Sequence, residues 1–287
     1  MKKVLSILFF FAATNMPAQQ IDSTNGKVSS KLNLIRHVRS LLVDSLKLKV
    51  GEKFYTEFAS SDSVISYLYI SKKDSVKKMT DGDFISFGNH PSAAKDKADD
   101  MERKGFDAMA YFTAGSSGAM INKRLLEYDS LSLTFILIHE AIHRHKNNSK
   151  AKFPYEFEEA LGDVIANSFC GWYSGASVKD YFAFAFRNEE IYRVINRCID
   201  GKLSKEKCEA KIKKRLKYAT LFQKDRFDYK VNNAFLLRYS SYSKRYFQLR
   251  EVYQRMKNPK LFIEEMMKLP ADAKGCDSAL VILKKKY

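Results

Sequence analysis

Residues 130–147 read SLSLTFILIHEAIHRHKN, and the rest of the chain is best read outward from them. Leu131, Leu133, Phe135, Ile136, Leu137 and Ile138 form an almost unbroken apolar run, so a helix here is buried on nearly all sides. Into that run the sequence sets His139, Glu140 and His143. Such groups in a buried helix are costly unless a ligand compensates them. Positions four apart on a helix lie on one face, one turn apart. His139 and His143 can therefore grip one metal ion between them, with zinc the expected occupant. Glu140 projects toward the open side of that ion, where it can take a proton from an attacking water. With five histidines in the chain, an HExxH arises by chance about one time in a hundred. Arg144 and His145 follow at once, which predicts that the helix emerges into solvent after the motif. His145, two positions from His143, is read as a surface residue and not a ligand.

A third protein ligand is needed, and 156–163 (EFEEALGD) offers three glutamates. Glu159 is the preferred candidate. It alone has an acid four residues later, Asp163, and Ala160 and Gly162 leave room around it. In this reading Asp163 steadies a ligand histidine, fixing its tautomer and raising its basicity. Glu156 and Glu158 compete for the ligand role; as acids near the site they are also candidates to receive a free amino terminus.

Away from this centre the pattern divides. Before residue 130 it is mixed: a helix over Leu32–Leu46, strands at Lys53–Phe58, Val64–Ser71 and Phe84–Gly88, a helix over 91–104 with Pro91 in its first turn and Gly105 ending it, then a strand over Phe106–Thr113 and a turn at Gly115–Gly118. From Ser130 onward it is helical, with helices expected over 130–147, 155–173, 177–200, 204–223, 230–256 and 258–268. The fold class is α+β: a small mixed α/β part over 32–129 and a mainly helical part over 130–287, together one domain. The strand Ala110, Tyr111, Phe112, Thr113, with Gly115 allowing close backbone approach, is the candidate edge beside the HExxH helix that pairs with an extended peptide; the alternative is an ordinary core strand.

The stretches Ala110–Gly115 (AYFTAG), Leu125-Leu126, His139–His143, Phe157–Ala160 (FEEA) and Val231–Ala234 (VNNA) together resemble the predicted bacterial zinc aminopeptidases, a gluzincin type of HExxH peptidase. The resemblance covers most of the chain after the signal peptide and is strongest over Gly105–Ala166. It implies Glu159 as third ligand, because FEEA is similar to a family Phe-Asn-Glu-Ser block. It departs from the family at Glu158, which stands where the block has Asn, and in lacking a Trp-rich segment in the N-terminal half. What it implies is a zinc-dependent peptidase of aminopeptidase-like action on a peptide or protein substrate. Enzymes of this chemistry also use a donor to the developing oxyanion, and Tyr239 and Tyr242, on the helix after VNNA, are the candidates.

Composition bounds the alternatives. The chain has 287 residues, 45% of them hydrophobic, enough for a sizeable core. Lys2 and Lys3 followed by the apolar Val4–Ala13 read as a signal peptide over 1–18, with 19–31 a flexible leader; an uncleaved anchor is the rival. Export places the protein in the periplasm or outside the cell. No later segment is long and apolar enough to span a membrane. The net charge of +17 favours contact with anionic cell-envelope surfaces. No nucleic-acid motif accompanies it, so nucleic acid is not an expected partner. Of the four cysteines, Cys198 and Cys208 flank a turn at Gly201 and are the best local pair; Cys170 with Cys276 would be the second, against the alternative of buried thiols. Two other classes of function stay open beside catalysis: an exported scaffold stabilised by zinc, and a basic envelope or nucleic-acid binder in which HExxH is incidental.

Overall fold

The computed structural model describes residues 26–59, 65–73, 84–113, 120–216 and 230–287. The expected signal peptide, the turn at Gly115–Gly118 and the end of the helix expected over 204–223 lie outside them. In chain order the elements are α1 (Gly26–Asp44), β1 (Ile65–Lys72), β2 (Phe84–Gly88), α2 (Pro91–Arg103), β3 (Phe106–Thr113), α3 (Lys123–Leu126), α4 (Ser130–Asn148), α5 (Tyr155–Ser174), α6 (Val178–Ile199), α7 (Lys205–Leu216), α8 (Asn233–Met256), α9 (Pro259–Met266) and α10 (Ala273–Lys286). The architecture is α+β: a three-stranded antiparallel sheet in the first half and a mainly helical second half. Among the described residues no helix is long and apolar enough to cross a membrane.

The sheet order is β2-β1-β3, which leaves β3 at an edge. Its register with β1 runs from Ile65 opposite Thr113 to Lys72 opposite Phe106. Strand alternation sends the two faces to different neighbours. Leu68, Ile70, Ala108, Ala110 and Phe112 pack with Ala94 and Ala98 of α2. Tyr67, Tyr69, Met109 and Tyr111 pack with Ile191 and Ile195 of α6 and with Phe235 and Tyr239 of α8. The candidate substrate strand is thus an edge, but α2 and α8 cover its faces, whereas α4 packs on α5 and α1.

The larger core gathers α1, α4, α5, α8, α9 and α10 around Val38, Leu42, Leu133, Leu137, Ile142, Leu161, Ile165, Leu249 and Phe262. Each such side chain contributes about 1.5–3 kcal/mol relative to exposure. The long α8 joins both cores, packing on α5 and on β1 and β3. The Asn-Asn pair sets its start. Asn232 caps the helix by accepting from the Phe235 amide, and its Nδ2 donates to the Ala108 carbonyl. Asn233 donates from its amide to Asp107 and from Nδ2 to the carbonyls of Lys72 and Lys73. The VNNA block therefore ties α8 to the ends of β1 and β3.

Several expectations are corrected. Residues 26–31, expected in a flexible leader, form the first turns of α1, where Lys31 and Leu32 are buried. Lys53–Phe58 is not a strand: residues 52–56 are turns, and only Phe58 makes a bridge, to Ile121. Phe54 and Tyr55 bury side by side instead of alternating, and Arg39 donates to the carbonyls of Gly51, Glu52 and Phe54. Cys198 and Cys208 are bonded, with Cα atoms 5.8 Å apart. Cys170 and Cys276 are separate buried thiols, Cys276 donating to the Pro270 carbonyl. The helix α10 was not among the expected elements. Nor does α4 emerge into solvent after the motif. His145 is buried, its Nδ1 accepting from the Lys49 amide at 2.9 Å, while Asn148 donates to the Lys49 carbonyl. The last turn of α4 thus clamps the segment leaving α1.

Candidate metal centre

Asp129 opens α4, its carboxylate accepting from the amide and the hydroxyl of Ser132. Such a cap is worth about 1 kcal/mol and sets where the helix begins. Ten positions later α4 presents His139, then His143 one turn on. Helix α5 runs antiparallel beside it, so that rising numbers on α4 meet falling numbers on α5: His139 meets Asp163, His143 meets Glu159, and Lys146 meets Glu158. The approach is close because residue 162 is glycine. A Cβ there would sit 2.7 Å from His139 Nδ1, inside any tolerated contact. We expect Gly162→Ala to push the His139 ring away from Asp163. It should lower stability by about 1–3 kcal/mol and metal affinity by roughly tenfold or more. Chemical denaturation and metal titration check this; an unchanged midpoint together with unchanged affinity would show that the helices part without cost.

Each histidine has its own acid. His139 Nδ1 lies 2.8 Å from Asp163 Oδ1, and His143 Nδ1 lies 2.7 Å from Glu158 Oε1. A carboxylate only accepts, so the Nδ1 atoms carry the protons. In the neutral rings both Nε2 lone pairs then point inward, and these two nitrogens lie 3.0 Å apart. Glu159 closes the group, with Oε2 3.3 Å from His139 Nε2 and Oε1 3.8 Å from His143 Nε2. Its Oε2 is buried without a hydrogen-bond partner among the described residues. Donor atoms of His139, His143 and Glu159 all lie within 4.8 Å of one another, so this group could bind a metal ion. Three electron-pair donors converging with an orphaned carboxylate oxygen are what a cation would satisfy.

The electrostatics follow from burial and these contacts. Burial by itself would raise the Glu159 carboxyl, but the close His139 ring and the charges of His143 and Arg238 hold it well below the ordinary range. Burial would lower both imidazoles. Asp163 and Glu159 carry His139 well above its usual value, and Glu158 with Glu159 raises His143. Glu140 is raised, first by burial, with the two histidines opposing.

Supporting groups stand behind these. Tyr192 of α6 donates to the second oxygen of Asp163, and Lys146 donates to the second oxygen of Glu158. Glu158 is therefore a partner of His143 and not a rival ligand, and Glu156 is turned away into ion pairs with Lys244 and Arg245. Of the two tyrosines, Tyr242 sits with its ring centre 6.0 Å from that of His139, whereas Tyr239 stacks on Phe235 further out. Tyr111 of β3 reaches toward α8, Ala110 and Phe112 face α2, and Gly115 lies outside the described residues. At the start of α5 the Tyr155 hydroxyl is held well above its ordinary range, by burial first and then by the nearby Glu159 charge. The sequence offered a sign for Lys146, three residues after His143 on one face, and for Tyr155, one turn before Glu159 on α5; it offered none for Tyr192, which arrives by chain packing. No protein-family model, curated protein or solved structure matches this chain.

Proposed function

We propose that the protein is a zinc-dependent peptidase. The observation that carries this reading is the convergence of His139 Nε2, His143 Nε2 and the unpartnered Glu159 Oε2, with Glu140 on the same helix. Two nitrogens and one carboxylate oxygen suit zinc, and three protein ligands leave a coordination position open, as catalytic sites require. When bound, zinc would polarise the scissile carbonyl and lower the pKa of water. His139, His143 and Glu159 hold it; Asp163 and Glu158 fix the two imidazole tautomers and keep the rings aimed inward. Glu140, whose raised pKa moves it toward neutrality, takes the proton from the attacking water and returns it to the leaving amine. Tyr242, whose ring centre lies 6.0 Å from that of His139, is the candidate donor toward the developing oxyanion. The narrower aminopeptidase-like action implied by the resemblance needs an acid free to receive an α-ammonium. Glu156 and Glu158 are both already paired, so the broader statement is the better supported one.

The protein should take up about one zinc per chain and cut members of a broad peptide library. Elemental analysis after zinc loading and mass-spectrometric digestion profiling read the two halves separately. Less than about a tenth of an equivalent of zinc removes the site. Full zinc with no cleavage favours instead an exported protein that keeps the metal for stability.

A further inference from the structure

Arg238 of α8 is 5% exposed, and among the described residues no carboxylate pairs with it. Its Nη2 donates to the Tyr242 hydroxyl, its Nη1 reaches Ser241 Oγ only at 3.4 Å, and its Nε has no acceptor. Rings hold it instead: the guanidinium carbon lies 4.2 Å from the ring centre of Tyr242, 4.6 Å from Tyr111, 5.4 Å from Tyr69 and 5.9 Å from Tyr239. Aromatic faces attract a cation and fix the plane of its fork, but they do not neutralise its charge. A buried guanidinium with a spare donor, oriented and uncompensated, is built to receive a planar anion.

The position of this fork tells which anion. Tyr242, in contact with Arg238, has its ring centre 6.0 Å from that of His139. Glu159 is committed to the metal in the reading above, so it does not complete Arg238. Tyr111 and Tyr242, the two rings nearest the guanidinium, are the half-buried members of the box, whereas Tyr69 and Tyr239 are buried. Around the same centre the acids that might welcome a cationic substrate group are taken, Glu158 by His143 and Lys146 and Glu156 by Lys244 and Arg245. Apart from Glu140, which serves as the base, the charge left over beside the metal group is that of Arg238.

We infer that Arg238 receives a carboxylate of the substrate next to the scissile bond, which makes the enzyme selective for peptides carrying a free carboxylate there. This rests on the peptidase reading and adds the substrate class to it. Either a C-terminal carboxylate or an Asp or Glu side chain supplies the chemistry. Arg238 is a specificity residue: its fork makes the bidentate contact, Tyr69, Tyr111 and Tyr239 hold its plane, and Tyr242 links it to the metal group.

The test uses the full zinc-loaded chain carrying Glu140→Gln, so that bound peptide is not cut. Calorimetric titration compares one acetylated tetrapeptide as free acid and as amide, and amidated versions with Asp or Glu against Asn or Gln. We expect at least one carboxylate form to bind about tenfold or more tightly than its neutral counterpart. The free acid winning identifies the terminus; an acidic side chain winning identifies the internal source. Arg238→Gln should abolish the preference while zinc content stays at the parent level. Should that variant not fold, Arg238→Lys keeps the charge and loses the fork, and the preference should shrink several-fold. No preference in the first protein, or a preference untouched by either substitution, overturns the proposal. The peptidase reading fails separately, as absence of cleavage by the chain with Glu140 intact.

Discussion

Glu140→Gln should keep its zinc and its fold while peptide hydrolysis falls by about 10²-fold or more, the usual cost of losing a general base. The substitution conserves volume, so the packing of α4 against α5 is undisturbed. Glu140 lies outside the group whose donor atoms converge, so its carboxylate is free to move protons. Burial lifts its pKa, which brings a carboxylate closer to the range where proton transfer at neutral pH is effective. Zinc analysis, thermal unfolding and single-substrate kinetics read the three properties apart. A variant that loses its metal would falsify the assignment of Glu140 as base and make it a ligand. A variant that cuts as fast as the parent would move the base elsewhere.

Glu159→Gln should fail differently, through the metal. Glu159 is buried, and its unpartnered Oε2 is the anionic member of the donor set. An amide keeps the shape but loses the charge and most of the donor strength. Loss of an outer partner such as Asp163 typically costs 10–100-fold in metal affinity, and loss of the ligand itself should cost more than about 100-fold. Activity measured at limiting zinc should fall with it. The parent should also gain thermal stability on adding zinc, because a ligand that binds only the folded state stabilises it. That gain should nearly vanish in Glu159→Gln. An unchanged zinc affinity and an unchanged thermal gain would remove Glu159 from the site and leave the two histidines without a protein anion.

The two substitutions test neighbouring acids whose roles separate for a structural reason. Glu140 sits one residue after a ligand on α4, whereas Glu159 comes from the helix that packs against it. Only a helix pair held as closely as Gly162 allows can bring the second acid to the first helix.

Much of this was legible in the residues. The spacing of His139 and His143 is set by the period of the helix, and so is that of Glu159 and Asp163; local geometry forces such pairs onto one face. Strand alternation in the first strand and Pro91 at the head of α2 act through the same short-range rules. The α+β division follows from where those periods change. Short-range rules failed where a residue's role depends on a distant neighbour. His145 is polar and follows the motif, yet it is buried because the backbone of Lys49, 96 residues away, donates to it. Phe54 and Tyr55 lie in an aromatic-rich segment that reads like a strand, yet the arginine of α1 binds the carbonyls of Glu52 and Phe54 and holds the segment in turns.

The same division runs through the site. Sequence by itself determined which side chains can bind a metal, because ligand type and helical spacing are local properties. Tertiary structure alone decided what each of them meets. It gave Glu158 to His143, withdrew Glu156 to Arg245, set Tyr192 behind Asp163, and left Arg238 in its box of tyrosines with no carboxylate partner among the described residues. These are contacts between helices and strands far apart in the chain. They arise only when apolar faces close over one another, and the charge each buried group then lacks or shares is fixed by that packing.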